Sequence, residues 1–231
     1  MTSAPSLLAR AADTVLAPGR AFDAHLRDPR SGALLAALTL ATLAFHVLFF
    51  LRLDYAWFAE HLRATLPAAL RRELPADLVL SRASVLLPAV VSAALKPPLL
   101  VAALAAWLAV VGRVRGTGPS FAQCMAIAAW SALPWLLVLP LEVVETLRQG
   151  SGQVALEDVD PTTLNALVFH LDAGARGHGL ATTVSLATLW SALLCAIGVR
   201  RSMATGWAGA AAIVAPPWLA SLAPALVLAV A

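Results

Sequence analysis

The sequence predicts an all-α polytopic membrane protein, with five transmembrane helices plus short interfacial helices. Hydrophobic residues make up 60% of the chain and charged residues only 13%, against roughly 25% charged in an ordinary soluble domain. Mean hydropathy is +0.81. The apolar residues fall in continuous runs near the length that crosses a bilayer as a helix, about 20 residues. Strand-like alternation is absent, and a helix satisfies its own backbone in lipid.

The first 30 residues carry no continuous apolar core of the kind a cleavable signal peptide needs, because Arg10, Asp13, Arg20, Asp23, Arg27, Asp28 and Arg30 interrupt them. The first span is therefore expected to act as an uncleaved signal anchor. Within this tail, SLLARAADTVLA (6–17) puts Leu7, Leu8, Ala11 and Val15 on one helical face before Pro18 and Gly19 end it. That pattern predicts a helix lying in the cytoplasmic interface.

Five apolar runs follow, at about 32–51, 84–111, 121–141, 180–199 and 208–230. The second is long enough to require tilt, a kink or projection from the bilayer. Between the first two, WFAEHLRATLPAALRREL (57–74) is amphipathic and interrupted at Pro67, so it is expected to lie against the outer leaflet. The loop 142–179 holds six acids against Arg148 and Arg176, a net charge of −4. Inside it, TTLNALVFHL is a short apolar helix candidate bounded by glycine-rich turns, the expected place for something to bind from outside. No internal repeat or low-complexity linker divides the chain, so residues 1–231 read as a single domain.

Arginines set the orientation. Arg10, Arg20, Arg27 and Arg30 lie in the tail, Arg113 and Arg115 after the second span, and Arg200 and Arg201 after the fourth. These segments share one side by parity, and the positive-inside rule makes that side the cytoplasm. The N-terminus is then cytoplasmic and the C-terminus outside. The loop 52–82 weighs against this only weakly, with five arginines opposed by four acids. Fifteen arginines against one lysine, with heavy Ala, Leu and Pro use, suggest a GC-rich genome, a bacterium, and hence its plasma membrane.

The chemistry-bearing positions are few. Lys96, the one lysine, stands in SAALKPPLLV before Pro97 and Pro98. Prolines donate no N–H and disfavour helical geometry in the preceding residue, so a broken second span is expected. A charge in lipid costs about 2.5–3.5 kcal/mol on insertion scales unless it is paired or reaches water. Two arrangements avoid that cost: Lys96 snorkels outward toward Glu142 or Glu145, or it faces the bundle and bonds freed carbonyls or Ser131, whose run WSALP breaks at Pro134. The second would make a polar spot of the kind that lines transport pathways. Glu142 and Glu145 share one helical face but lack a histidine at metal-site spacing. His46, inside the first span, reads as a helix-to-helix hydrogen-bonding group. Cys124 and Cys195 sit in apolar runs and form no CxxC pair. No phosphate loop, nucleophile elbow or zinc pattern is found, so no enzyme, cofactor or metal is expected, and nothing points to nucleic acid.

VLAPGRAFDAHLRDPR, the turn GTGPSFAQCMAIAAWSALPWLL and the run TLWSALLCAIGVRRSMATGWAGAAA together resemble the Yip domain family across about residues 10–225. The most telling pieces are P-x-x-x-F (Pro18, Phe22), G-x-x-x-S-F (Gly116, Ser120, Phe121) with Pro134, and W-x-x-x-L-x-x-x-G (Trp190, Leu194, Gly198). The resemblance implies a five-span protein with a cytoplasmic N-terminus and no established enzymatic chemistry. It implies an adaptor or assembly factor, and some bacterial relatives accompany ABC-type export systems. The long tail by which eukaryotic members engage partners is missing, so Rab-type trafficking does not carry over. Expected partners are membrane lipids and a membrane protein or second copy. The rival reading is a small transporter, channel or lipid-moving protein with a path near Lys96.

Overall fold

The structure, a computed structural model, describes residues 5–65, 72 and 80–230. The part of the 57–74 segment around Pro67 lies outside the described residues. Among those residues the chain is helical, with one isolated antiparallel bridge between Thr163 and Ser185.

Local sequence sets most boundaries. Ser6 caps α1 (Leu7–Leu16), its Oγ accepting the Ala9 N–H at 3.2 Å. Pro18 opens α2 (Pro18–Arg27), where its missing N–H is no loss. Then come α3 (Gly32–Arg52), α4 (Tyr55–Thr65), α5 (Arg82–Val114), α6 (Phe121–Ser131), α7 (Leu133–Arg148), α8 (His178–Thr183), α9 (Leu186–Met203) and α10 (Trp207–Val230). A capping box starts α6: the Gln123 N–H donates to Ser120 Oγ and the Ser120 N–H to Gln123 Oε1. Gly32–Arg52, Arg82–Val114 and Phe121–Arg148 are each long and apolar enough to cross a membrane, and the Trp207–Ala223 part of α10 is apolar as well. With α9, which ends on Arg200 and Arg201, these make an all-α, polytopic membrane protein.

Three local expectations are corrected. Span two is not broken: α5 runs unbroken through Lys96, Pro97 and Pro98. Proline's own φ suits a helix, and the two missing donors cost this helix less than a break in lipid would. The fourth span begins at Leu186, later than 180, because Val184 is extended and the Thr182 and Thr183 hydroxyls bond back within α8. TTLNALVFHL forms only a single π-helical turn, Asn165–Phe169, ended by His170 in the left-handed region at φ 51°. The break near Pro134 is present, as a one-residue interruption at Ala132.

The helices belong to two compact units. One comprises residues 1–40, 95–136 and 188–220; the other comprises 41–94, 137–187 and 221–231. The first has its core around Phe22, Leu108, Ile127, Trp130, Leu194 and Val199, all buried. Gly198 lets these helices close up: a Cβ there would stand 2.8 Å from Ile127 Cγ2 and 3.0 Å from the Phe22 ring. Trp107 Nε1 donates to the Ile213 carbonyl at 2.8 Å and ties α5 to α10.

The second unit packs Phe45, Phe49, Phe50 and Leu53 against Val154 and Val159. The chain after α7 is pinned by Gly152, at φ +69°, where a Cβ would collide with the Arg52 carbonyl. Asp54 caps α4 through the N–H groups of Ala56 and Trp57. The Gln153 side-chain amide and the Trp57 N–H hold its carboxyl below the ordinary range.

Candidate functional site: the Arg10–His25 clasp

Helices α1 and α2 fold back on each other within the first unit. Leu7, Ala11 and Val15 pack on its core, and Ala21, Phe22 and His25 form the buried face of α2. Leu8, placed on that inner face by sequence, is instead exposed, as is Leu16. The reason is Thr14. It occupies the inner face with 0% exposure, because its hydroxyl has a partner there, and this rotates the helix away from Leu8.

That partner is His25, itself 1% exposed. Arg10 Nη2 lies 2.9 Å from His25 Nδ1, and Thr14 Oγ1 lies 2.9 Å from His25 Nε2. A guanidinium only donates, so Nδ1 must accept. Nε2 then carries the proton and donates to Thr14 Oγ1, while the Thr14 hydroxyl donates to the Arg10 carbonyl at 2.8 Å. The ring is neutral and fully bonded. Burial, with the Arg10 charge beside it, pushes its pKa down to about 4, against a smaller upward pull from Asp28.

The imidazole stacks on Trp130 with centroids 4.2 Å apart and planes 7° from parallel, and Phe22 meets it edge-on. Arg10 lies over the same indole at 5.3 Å and donates to the Asp28 carbonyl at 2.8 Å. Two bonds from α6 finish the join: Trp130 Nε1 to the Arg30 carbonyl at 3.2 Å and Gln123 Nε2 to the Leu26 carbonyl at 2.9 Å. From α9, Arg201 pairs with Asp23 at 3.3 Å and lies against Gly19. Both nitrogens of the His25 ring are occupied, so the imidazole has no lone pair or proton to offer a substrate. It is a clasp that presents the outer face of α1.

The residues singled out by sequence are placed elsewhere. Lys96 is exposed on α5 among Leu95, Leu99 and Leu100, and it has no ion pair among the described residues. Pro97 and Pro98 lie within the same unbroken helix. Ser131 is buried and donates to the Ile127 carbonyl of its own helix at 2.7 Å, so the inward arrangement that joined Lys96 to Ser131 is not found. Pro134 sits in the first turn of α7, just after the Ala132 interruption. Glu142 and Glu145 are half-buried on α7 in the second unit, where Glu145 Oε1 accepts from Gln149 at 3.1 Å. Among the described residues no group of three or more metal-ligating side chains forms.

The loop expected to bind from outside folds around a 3₁₀ turn, Leu156–Asp158. Its two acids meet histidines from different helices, His61 with Glu157 at 3.6 Å and His178 with Asp158 at 3.2 Å. A shallow cleft of about 360 Å³ beside the second pair is lined by Asn165, His170 and Asp172.

As a cluster, Arg10, Thr14, His25 and Trp130 escaped the sequence reading. The signal available was the i, i+4 pair Arg10 and Thr14 facing the i, i+3 pair Phe22 and His25 across Pro18.

No curated protein and no solved structure matches the chain. The comparison with protein families matches residues 12–229 to the Yip1 domain, a family that is not generally enzymatic. The match begins two residues after Arg10 and takes in the rest of the clasp, Thr14, His25 and Trp130, with nearly all the helices that hold it, and the chain belongs to the Yip1 domain family.

Proposed function

We propose that this protein is a non-enzymatic, five-span plasma-membrane adaptor or assembly factor, with its N-terminus in the cytoplasm and its C-terminus outside. The complex it serves, on this reading, is an ABC-type export system. The observation that carries the reading is the clasp: buried polar bonds fix a helical hairpin whose outer ridge, Leu8 and Leu16, is more than 80% exposed. An apolar ridge held rigidly on a cap is suited to partner contact, since little ordering entropy remains to be lost on binding. Family membership supports the adaptor class, and the arginine distribution supports the orientation.

The test is copurification of the full chain in mild detergent. Wild type should retain transporter subunits, and Leu8→Asp with Leu16→Asp should release them while the chain stays monodisperse. An unchanged partner set, or one without transporter subunits, refutes the reading. An alkaline phosphatase fusion after Ala231 should be active if the C-terminus is outside.

A further inference from the structure

Two adjacent arginines at the end of α9 are used differently. Arg201 is paired with Asp23. Arg200 makes no ion pair among the described residues; its guanidinium lies 4.1 Å from the Trp207 ring centroid, and its Nε is buried without a hydrogen-bond partner. The turn between these residues is tightly built. Ala204 is left-handed at φ 45°, a Cβ on Gly209 would collide with Thr205 Oγ1, and Thr205 Oγ1 accepts from Arg115 Nη2 at 3.5 Å. Stacking on an indole fixes a guanidinium in one plane and leaves its outer edge free to form paired bonds to an oxyanion.

Location selects the source of that oxyanion. Arg115 follows directly on the apolar α5, Arg200 lies in the last turn of α9, and Trp207 opens the apolar α10. Trp207 is half exposed, and so is Val110, while Val114 is largely exposed. Aromatic and arginine side chains at the ends of spans lie at headgroup depth. We propose that Arg200, oriented by Trp207 and joined by Arg115, binds the phosphodiester of an anionic phospholipid. The site is independent of the adaptor reading, since it needs no protein partner.

Native mass spectrometry of the full chain, released from nanodiscs of equal phosphatidylglycerol and phosphatidylcholine, tests this. Wild type should retain phosphatidylglycerol preferentially. Arg200→Gln should lower that retention about fivefold, the scale of effect open to an arginine held at headgroup depth by its indole. Arg113→Gln removes a more exposed arginine that lacks the indole, and it should change retention little. Equal retention of the two lipids by wild type overturns the proposal whether or not the variants fold. Equal losses in the two variants overturn it too, because bulk charge then suffices. Displacement of the lipid by millimolar inorganic phosphate would make the ligand a soluble anion and overturn the assignment to lipid.

Discussion

Replacing Gly198 with alanine adds one methyl at the tightest helix contact of the first unit. That methyl would stand 2.8 Å from Ile127 Cγ2 and 3.0 and 3.1 Å from two carbons of the Phe22 ring, well inside the 3.5–4.0 Å optimum for carbon pairs. Neither neighbour has room to retreat. Ile127 and Phe22 are both 0% exposed, and Phe22 is braced against His25, which is stacked on Trp130. Forcing a methylene into such a core costs about 1–3 kcal/mol. Alanine's better helix propensity returns up to about 1 kcal/mol. Set against the middle of the first range, about 2 kcal/mol, this leaves a net loss of about 1 kcal/mol, or roughly 2–4 °C in Tm for a chain of this size. Thermal unfolding in mild detergent measures it, and limited proteolysis at Arg20 and Arg27 reports on the clasp. Phe22 carries the contact into α2, so proteolysis of α2 should accelerate along with the fall in Tm. A variant melting at or above wild type, with α2 still protected, would show that helix packing there is looser than the contact distances state.

Two further outcomes are expected. His25 has a folded pKa of about 4 against an unfolded value near 6.5, so between those values the unfolded chain binds the extra proton. Stability is then fully present above about pH 6.5 and declines as pH falls toward 4, by on the order of 2 kcal/mol at pH 5; denaturant melts at pH 7 and pH 5 should show this loss, and His25→Gln should remove most of it. Lys96→Met should leave the detergent melting temperature unchanged or slightly raised, because an exposed, unpaired ammonium gives up nothing that a thioether of similar length does not supply; a loss above about 1 kcal/mol would reveal a partner that Lys96 lacks among the described residues.

The spans were legible because lipid makes a demand that sequence answers directly: long apolar runs with arginines at their ends. Boundaries were legible where a side chain acts on its own backbone, as Ser6 and the Ser120–Gln123 pair do. The clasp was not, because its halves lie far apart in the chain. Arg30 and Trp130 are separated by 100 residues, and no local pattern says that one carbonyl awaits that indole. Lys96 misled for a different reason. A charge and two prolines inside an apolar run look like a site, yet the helix carries the prolines and presents the charge on its surface. Leu8 shows the limit of periodicity: a face assigned by hydrophobicity yields when a buried hydroxyl such as Thr14 finds a histidine.

The wide separation of Arg30 and Trp130 also sets a clock. At roughly 5–20 residues per second, the ribosome needs about 5–20 s to travel from Arg30 to Trp130, and Gly198 and Arg201 come later still. Throughout that interval α1 and α2 exist without the indole that His25 stacks on and without the arginine that pairs with Asp23. The hairpin made first is therefore locked last, and a nascent chain stalled before its third long apolar helix carries an unsealed N-terminal segment, open to a chaperone or protease that the finished protein excludes.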